Sequence, residues 1–113
     1  MDAKEIELVL EDAVNTWGTD SQVWMVVEEF GELLQALGKL ARRPHSPEVI
    51  EHVCEEIADA KLILQQAEYM FDKEGYVERY TQMKIARLKE RLRAAKIGKE
   101  SGMPPIVPYY GEC

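Results

Sequence analysis

The sequence predicts an all-α fold, a four-helix, bundle-like arrangement with antiparallel neighbours. Three observations predict it. Apolar residues recur at three- and four-residue steps nearly throughout the 113-residue chain, the spacing that gathers them on one face of a helix. No stretch alternates with the period of two expected of a half-buried strand. Residues that start and stop helices fall between the periodic segments. With 46% hydrophobic and 31% charged residues, the composition fits one small globular domain, expected over residues 1–98 and followed by a Gly/Pro-rich tail over 99–113.

The elements follow in order. A first helix is expected over about residues 3–15, ending before Trp17-Gly18, where Gly supplies the left-handed backbone that follows a helix. Thr19 followed by Gln22 reads as a capping box opening a second helix to about Ala41, with Val23, Val26, Val27, Phe30, Leu33, Leu34, Leu37 and Leu40 as its apolar face. Arg42 to Ser46 read as a basic loop. Ser46 then caps, and Pro47 occupies the first position of, a third helix reaching about Lys73, with Gly75 beyond its end. A fourth helix, Tyr76 to Lys96, turns Val77, Tyr80, Ile85, Leu88 and Leu92 inward, with Gly98 and Gly102 stopping it. Three prolines in the stretch from Met103 to Cys113 exclude a helix there.

The formal net charge is −7, which argues against non-specific binding to a nucleic-acid polymer. No apolar run approaches the roughly 20 residues that span a bilayer, and the N-terminus lacks a signal peptide's basic-then-apolar order, so a soluble cytoplasmic protein is expected. Cys54 and Cys113 are the only cysteines and read as free thiols rather than a disulfide framework or a zinc site.

The informative feature is acidic. Two segments, Glu28-Glu29-Phe30-Gly31-Glu32-Leu33 and Glu55-Glu56-Ile57-Ala58-Asp59-Ala60, each set two carboxylates three residues apart. With 21 acidic residues, chance alone gives about four such pairs, so spacing by itself decides nothing. Placement does. Glu29 and Glu32 share a stripe with Gln22, Leu33 and Ala36, while Glu56 and Asp59 share one with Val49, Ile63, Ala67 and Met70; both pairs interrupt surfaces that would otherwise pack. If the second and third helices pair antiparallel across their short loop, four carboxylates converge. Two like charges 4 Å apart repel by about 1 kcal/mol in water and about 4 kcal/mol at an effective dielectric of 20, so the group requires a cation or shifted protonation. Hard oxygen ligands without Cys or His at ligand spacing favour Mg²⁺, with Mn²⁺ as the alternative, and phosphate-ester or anhydride hydrolysis as the chemistry. The competing reading is a solvated acidic face paired with Lys39, Lys61 or arginines. Neither His45 nor His52 follows a Glu by three residues, which disfavours a di-iron carboxylate bundle.

Trp17-Gly18, Gln22, Glu29-x-x-Glu32, 23 intervening residues, Glu56-x-x-Asp59, then Lys84 with Arg87 together resemble the MazG-like, all-α nucleoside triphosphate pyrophosphohydrolases over about residues 17–95. Where that family often carries a Lys-Asn-Arg-like cluster, this chain has Lys84-Ile85-Ala86-Arg87. The resemblance implies that Glu29, Glu32, Glu56 and Asp59 hold Mg²⁺ against the triphosphate of an NTP or dNTP. It implies further that Glu29 activates water, that Lys84 and Arg87 meet the pyrophosphate and Gln22 the base, and that the chain forms a homodimer or homotetramer. Two competing functions are a non-enzymatic helical interaction module with acidic patches and a phosphoribosyl-ATP pyrophosphohydrolase of related fold.

Overall fold

A computed structural model describes residues 1–100 of the chain, in four helices and no strand among the described residues: α1 (Ala3–Trp17), α2 (Thr19–Arg42), α3 (Pro47–Phe71) and α4 (Tyr76–Glu100). The all-α prediction holds. Met1–Lys73 form one compact unit containing α1 to α3, and α4 belongs to a second that begins at Glu74. No helix among the described residues is long and apolar enough to cross a membrane.

In the first unit α2 and α3 form a helical hairpin on which α1 rests, chiefly against α3. Asp2 caps α1 by accepting from the Glu5 amide at 2.8 Å, and Tyr69 Oη donates to Asn15 Oδ1 at 3.3 Å to join α1 to α3. The core is thin: Val14, Ala36, Val53, Ala60 and Ile63 are buried.

The turn between α2 and α3 forms as its sequence dictates. Ser46 Oγ accepts from the Val49 amide and Pro47 opens the helix, where its missing N–H costs nothing. The turn between α1 and α2 departs from the expectation in two ways. Gly18 has φ 91° and ψ 153°; the positive φ is as expected, but this ψ lies beyond the left-handed helical region, in territory that essentially only Gly enters. Gly18, not Thr19, is the N-cap of α2, and no side chain caps it. The capping box is therefore not made: Thr19 is already helical, and the Gln22 side chain turns inward instead.

The wide apolar face expected of α2 is only partly used. Val23, Val26, Phe30, Leu33 and Leu40 are half-buried, whereas Val27, Leu34 and Leu37 are exposed. In α4, Leu88 is half-buried but Val77, Tyr80, Ile85 and Leu92 are exposed rather than inward, because a single helix has no second layer of its own to cover them. Gly98 does not end α4, which continues to Glu100; one Gly costs about 1 kcal/mol in a helix, and Ala94, Ala95, Lys96 and Lys99 around it are good helix formers. The rest of the tail expected over 99–113, with Gly102 and Cys113, lies outside the described residues. Cys54 is an exposed free thiol.

Two substitutions separate backbone conformation from contact. Nothing lies within 4 Å of a Cβ built on Gly18, yet Gly18→Ala should cost about 1–3 kcal/mol from strain alone. Ser46→Ala should cost about 1 kcal/mol through its lost cap. Thermal unfolding of both variants reads the order; a Gly18→Ala protein as stable as the parent would contradict the assigned backbone.

Candidate metal centre

The α2–α3 register places the acids. Gln22 and Gln66, buried to 5% and 4% exposure, meet at one end of the hairpin, Gln66 Nε2 donating to Gln22 Oε1 at 2.6 Å. Seven residues forward on α2 is Glu29 and seven residues back on α3 is Asp59, both displaced about 10 Å along the helices from that hydrogen bond. One step of three further, Glu32 meets Glu56 in the same antiparallel frame. One carboxylate oxygen from each of Glu29, Glu32, Glu56 and Asp59 lies within 4.8 Å of the others. The convergence that the sequence made conditional on antiparallel packing is present.

The four differ in environment. Glu56 is buried, at 6% exposure; Glu29 and Asp59 are half-buried and Glu32 is exposed. Glu29 Oε2 and Glu56 Oε2 are each buried without a hydrogen-bond partner, an arrangement unfavourable to a full charge unless a cation or proton compensates it. Burial raises the Glu29 carboxyl above its ordinary value, and Glu32, Asp59, Glu56 and Glu28 raise it further. Glu56 is likewise raised by burial and then by Glu32 and Asp59, with His52 opposing. His52 Nε2 stands 3.8 Å from Glu56 Oε1. The expected competing pairs with Lys39 and Lys61 are not formed.

The donor set fits a hard divalent cation. Opposite oxygens on one octahedral Mg²⁺ are about 4.2 Å apart, so a set spanning 4.8 Å needs only small side-chain adjustment to hold an ion, and the two orphaned oxygens are the atoms such an ion would satisfy.

Of the other expected site residues, Gln22 is engaged with Gln66, and its Nε2 also lies 3.5 Å from Ser21 Oγ. Lys84 and Arg87 are half-buried one turn apart on α4, in the second unit. Trp17 and Trp24 are exposed, at 66% and 72%. Sequence reading missed Gln66 and the approach of His52. Gln66 shares the Asp59, Ile63 and Met70 stripe, a signal that was available. His52 had one too, being four residues before Glu56, but its proximity depends on the rotamers adopted.

Comparison of the chain with protein-family models, curated proteins and solved structures yields no match.

Because the folded, metal-free protein holds Glu29 and Glu56 above their ordinary 4.5, it binds protons more tightly than the unfolded chain. The associated stability is complete below about pH 4.5 and is lost as pH rises through the raised values. In EDTA, Glu56→Gln should therefore melt above the parent at pH 7–8, and the gap should close towards pH 4.5. Mg²⁺ at about 100 times its Kd should add about 2.7 kcal/mol to the parent and far less to Glu56→Gln. Equal Mg²⁺ stabilisation of both proteins would exclude Glu56 as a ligand.

Proposed function

We propose that this protein is a Mg²⁺-dependent nucleotide pyrophosphohydrolase, converting an NTP or dNTP and water to the nucleoside monophosphate and pyrophosphate. One observation carries the reading: four carboxylates converge in the middle of a helical hairpin, two of them with a buried oxygen that nothing in the chain satisfies. The residue-level resemblance to the MazG-like family supports the same chemistry.

Glu29, Glu32, Glu56 and Asp59 would hold the ion, Mg²⁺ or Mn²⁺. A bound ion neutralises phosphate oxygens, stabilises developing negative charge and lowers the pKa of its water. Glu29 is the proposed base. Its Oε2 has no other partner, so it can orient a water and accept its proton. The water oxygen bonds to phosphorus, the anhydride bond between the α and β phosphates breaks, and its electron pair leaves on the bridging oxygen. The accepted proton passes to solvent. Glu56 is the most deeply buried of the four and would hold the inner side of the ion, while exposed Glu32 would face an incoming substrate. Gln22 is the proposed base contact, working as a pair with Gln66 because their amides are already joined.

The proposal includes a second copy of the chain. Ile50, Ile57, Leu64 and Phe71 repeat at seven-residue steps on α3 and all are exposed, with exposed Trp24, Val27 and Leu34 on one side of α2. Exposed apolar stripes of this kind mark association surfaces, and a homodimer or homotetramer would cover them. In sedimentation equilibrium, the parent should run as a multimer and Ile57→Asp should shift towards the monomer mass; a monomeric parent would remove this part of the proposal.

Enzymatic activity has a direct test. Purified protein with Mg²⁺ should release pyrophosphate from at least one of the standard NTPs or dNTPs, and Glu56→Gln should lower the rate by roughly 100-fold or more, since loss even of a residue supporting a ligand costs 10–100-fold in metal affinity or activity. Release that survives the substitution would identify a contaminant. No turnover of free nucleotides, with turnover of phosphoribosyl-ATP, would favour the related pyrophosphohydrolase. Absence of both, with binding of a basic protein partner, would favour an interaction module.

A further inference from the structure

At the closed end of the α2–α3 hairpin lies an open cavity of about 460 Å³ lined by Lys39, Arg42, Arg43, Glu48, Val49 and His52. We propose that this cavity is a polyphosphate subsite, taking the diphosphate portion of the nucleotide and hence the departing pyrophosphate; the assignment of nucleotide as its source rests on the pyrophosphohydrolase reading, while the anion site itself does not.

Charge is the first argument. In a chain of net charge −7, three cations converge here. None of their side chains has a hydrogen-bond or ion-pair partner among the described residues. The single carboxylate in the lining, Glu48, accepts from Ser46 Oγ at 3.1 Å and sits in the first turn of α3, where an acid complements the helix dipole. Lys39 and Arg42 are in the last turn of α2, and a helix C-terminus carries about −0.5 elementary charge. The N-terminus of α3 opens on the same turn with about +0.5, so the dipoles offset one another. Lys39, Arg42 and Arg43 against the one carboxylate of Glu48 leave the lining with a surplus of positive charge. The dipole of α2 therefore accounts for only part of this positive charge.

Position is the second argument. The cavity adjoins the acidic cluster on the same hairpin. His52 lines it, and His52 Nε2 is 3.8 Å from Glu56 Oε1. Lys39 is seven residues beyond Glu32, about 10 Å along α2. A phosphate chain held at the carboxylate cluster through a cation and pointing along α2 towards the turn would approach Lys39 first, with Arg42 and Arg43 beyond it. Guanidinium groups are suited to this ligand because their forked donors match phosphate oxygens two at a time.

The test separates the anion site from the enzyme. Inorganic pyrophosphate is titrated calorimetrically into the full-length protein in EDTA, so that no metal contributes. The parent should bind it. Arg42→Gln/Arg43→Gln should weaken binding at least tenfold, whereas Lys61→Gln, which removes an exposed cation outside the cavity, should leave it unchanged. Glu29→Gln should bind pyrophosphate at least as well as the parent. Thermal melts confirm that each variant is folded. With Mg²⁺ and a substrate nucleotide, the double variant should raise KM and weaken product inhibition by pyrophosphate. Absence of pyrophosphate binding by the parent, or equal weakening by Lys61→Gln, overturns the subsite. If the parent binds pyrophosphate through Arg42 and Arg43 but hydrolyses no nucleotide, the anion site stands and the pyrophosphohydrolase reading falls. If it hydrolyses nucleotides while the double variant keeps parental pyrophosphate affinity, the reverse holds.

Discussion

The antiparallel register of α2 against α3 is the constraint on which the rest depends. It is held at one end by the short turn that Ser46 and Pro47 close and at the other by the buried amide pair of Gln22 and Gln66. A buried polar pair stabilises little relative to an apolar one, but it penalises every register that separates its members, because each would then lose a hydrogen bond out of reach of water. Between these two ends Glu29, Glu32, Glu56 and Asp59 are brought together. A slip of a single turn would part the glutamines and scatter the acids.

The hairpin is electrostatically divided along its length. Its middle carries four carboxylates, two with buried unpartnered oxygens, and its closed end carries Lys39, Arg42 and Arg43 around one carboxylate. Cations and anions could have neutralised one another had they been interleaved at i, i+4 spacing, as on many exposed helices. Their separation leaves an acidic centre beside a basic pocket, the division on which the proposed metal and anion sites rest. On the proposed reading, a metal-associated polyphosphate would answer both, and its binding would relieve the repulsion among the four carboxylates.

Much of this was legible in the sequence, and the parts that were not share a cause. The Ser46-Pro47 start of α3 and the positive φ at Gly18 are local, set by the conformational limits of one or two residues. The acidic stripes followed from helical angle alone: Gln22 and Ala36 beside Glu29, and Ile63 beside Glu56, are buried as that angle requires. Thr19 misled because a capping box is a side-chain arrangement with a competitor, and Gln22 gains more from a buried partner on α3 than from an exposed backbone amide. Gly98 misled because helix propensity is a sum over neighbours rather than a veto by one residue. The exposure of Val27, Leu34 and Leu37 shows the limit of periodicity, which identifies an apolar face without naming what covers it.

The sequence by itself determined four helices, most of their ends, and which face of each middle helix carries its acids, since all of these follow from the 100° turn per residue and from local backbone sterics. Only the tertiary structure decided that the two acidic faces meet, that Gln66 is the partner of Gln22, and that the basic end of α2 shares a cavity with Val49 and His52 of α3. Those are relations between residues far apart in the chain, fixed by how two helices align, and no property of either helix alone contains them.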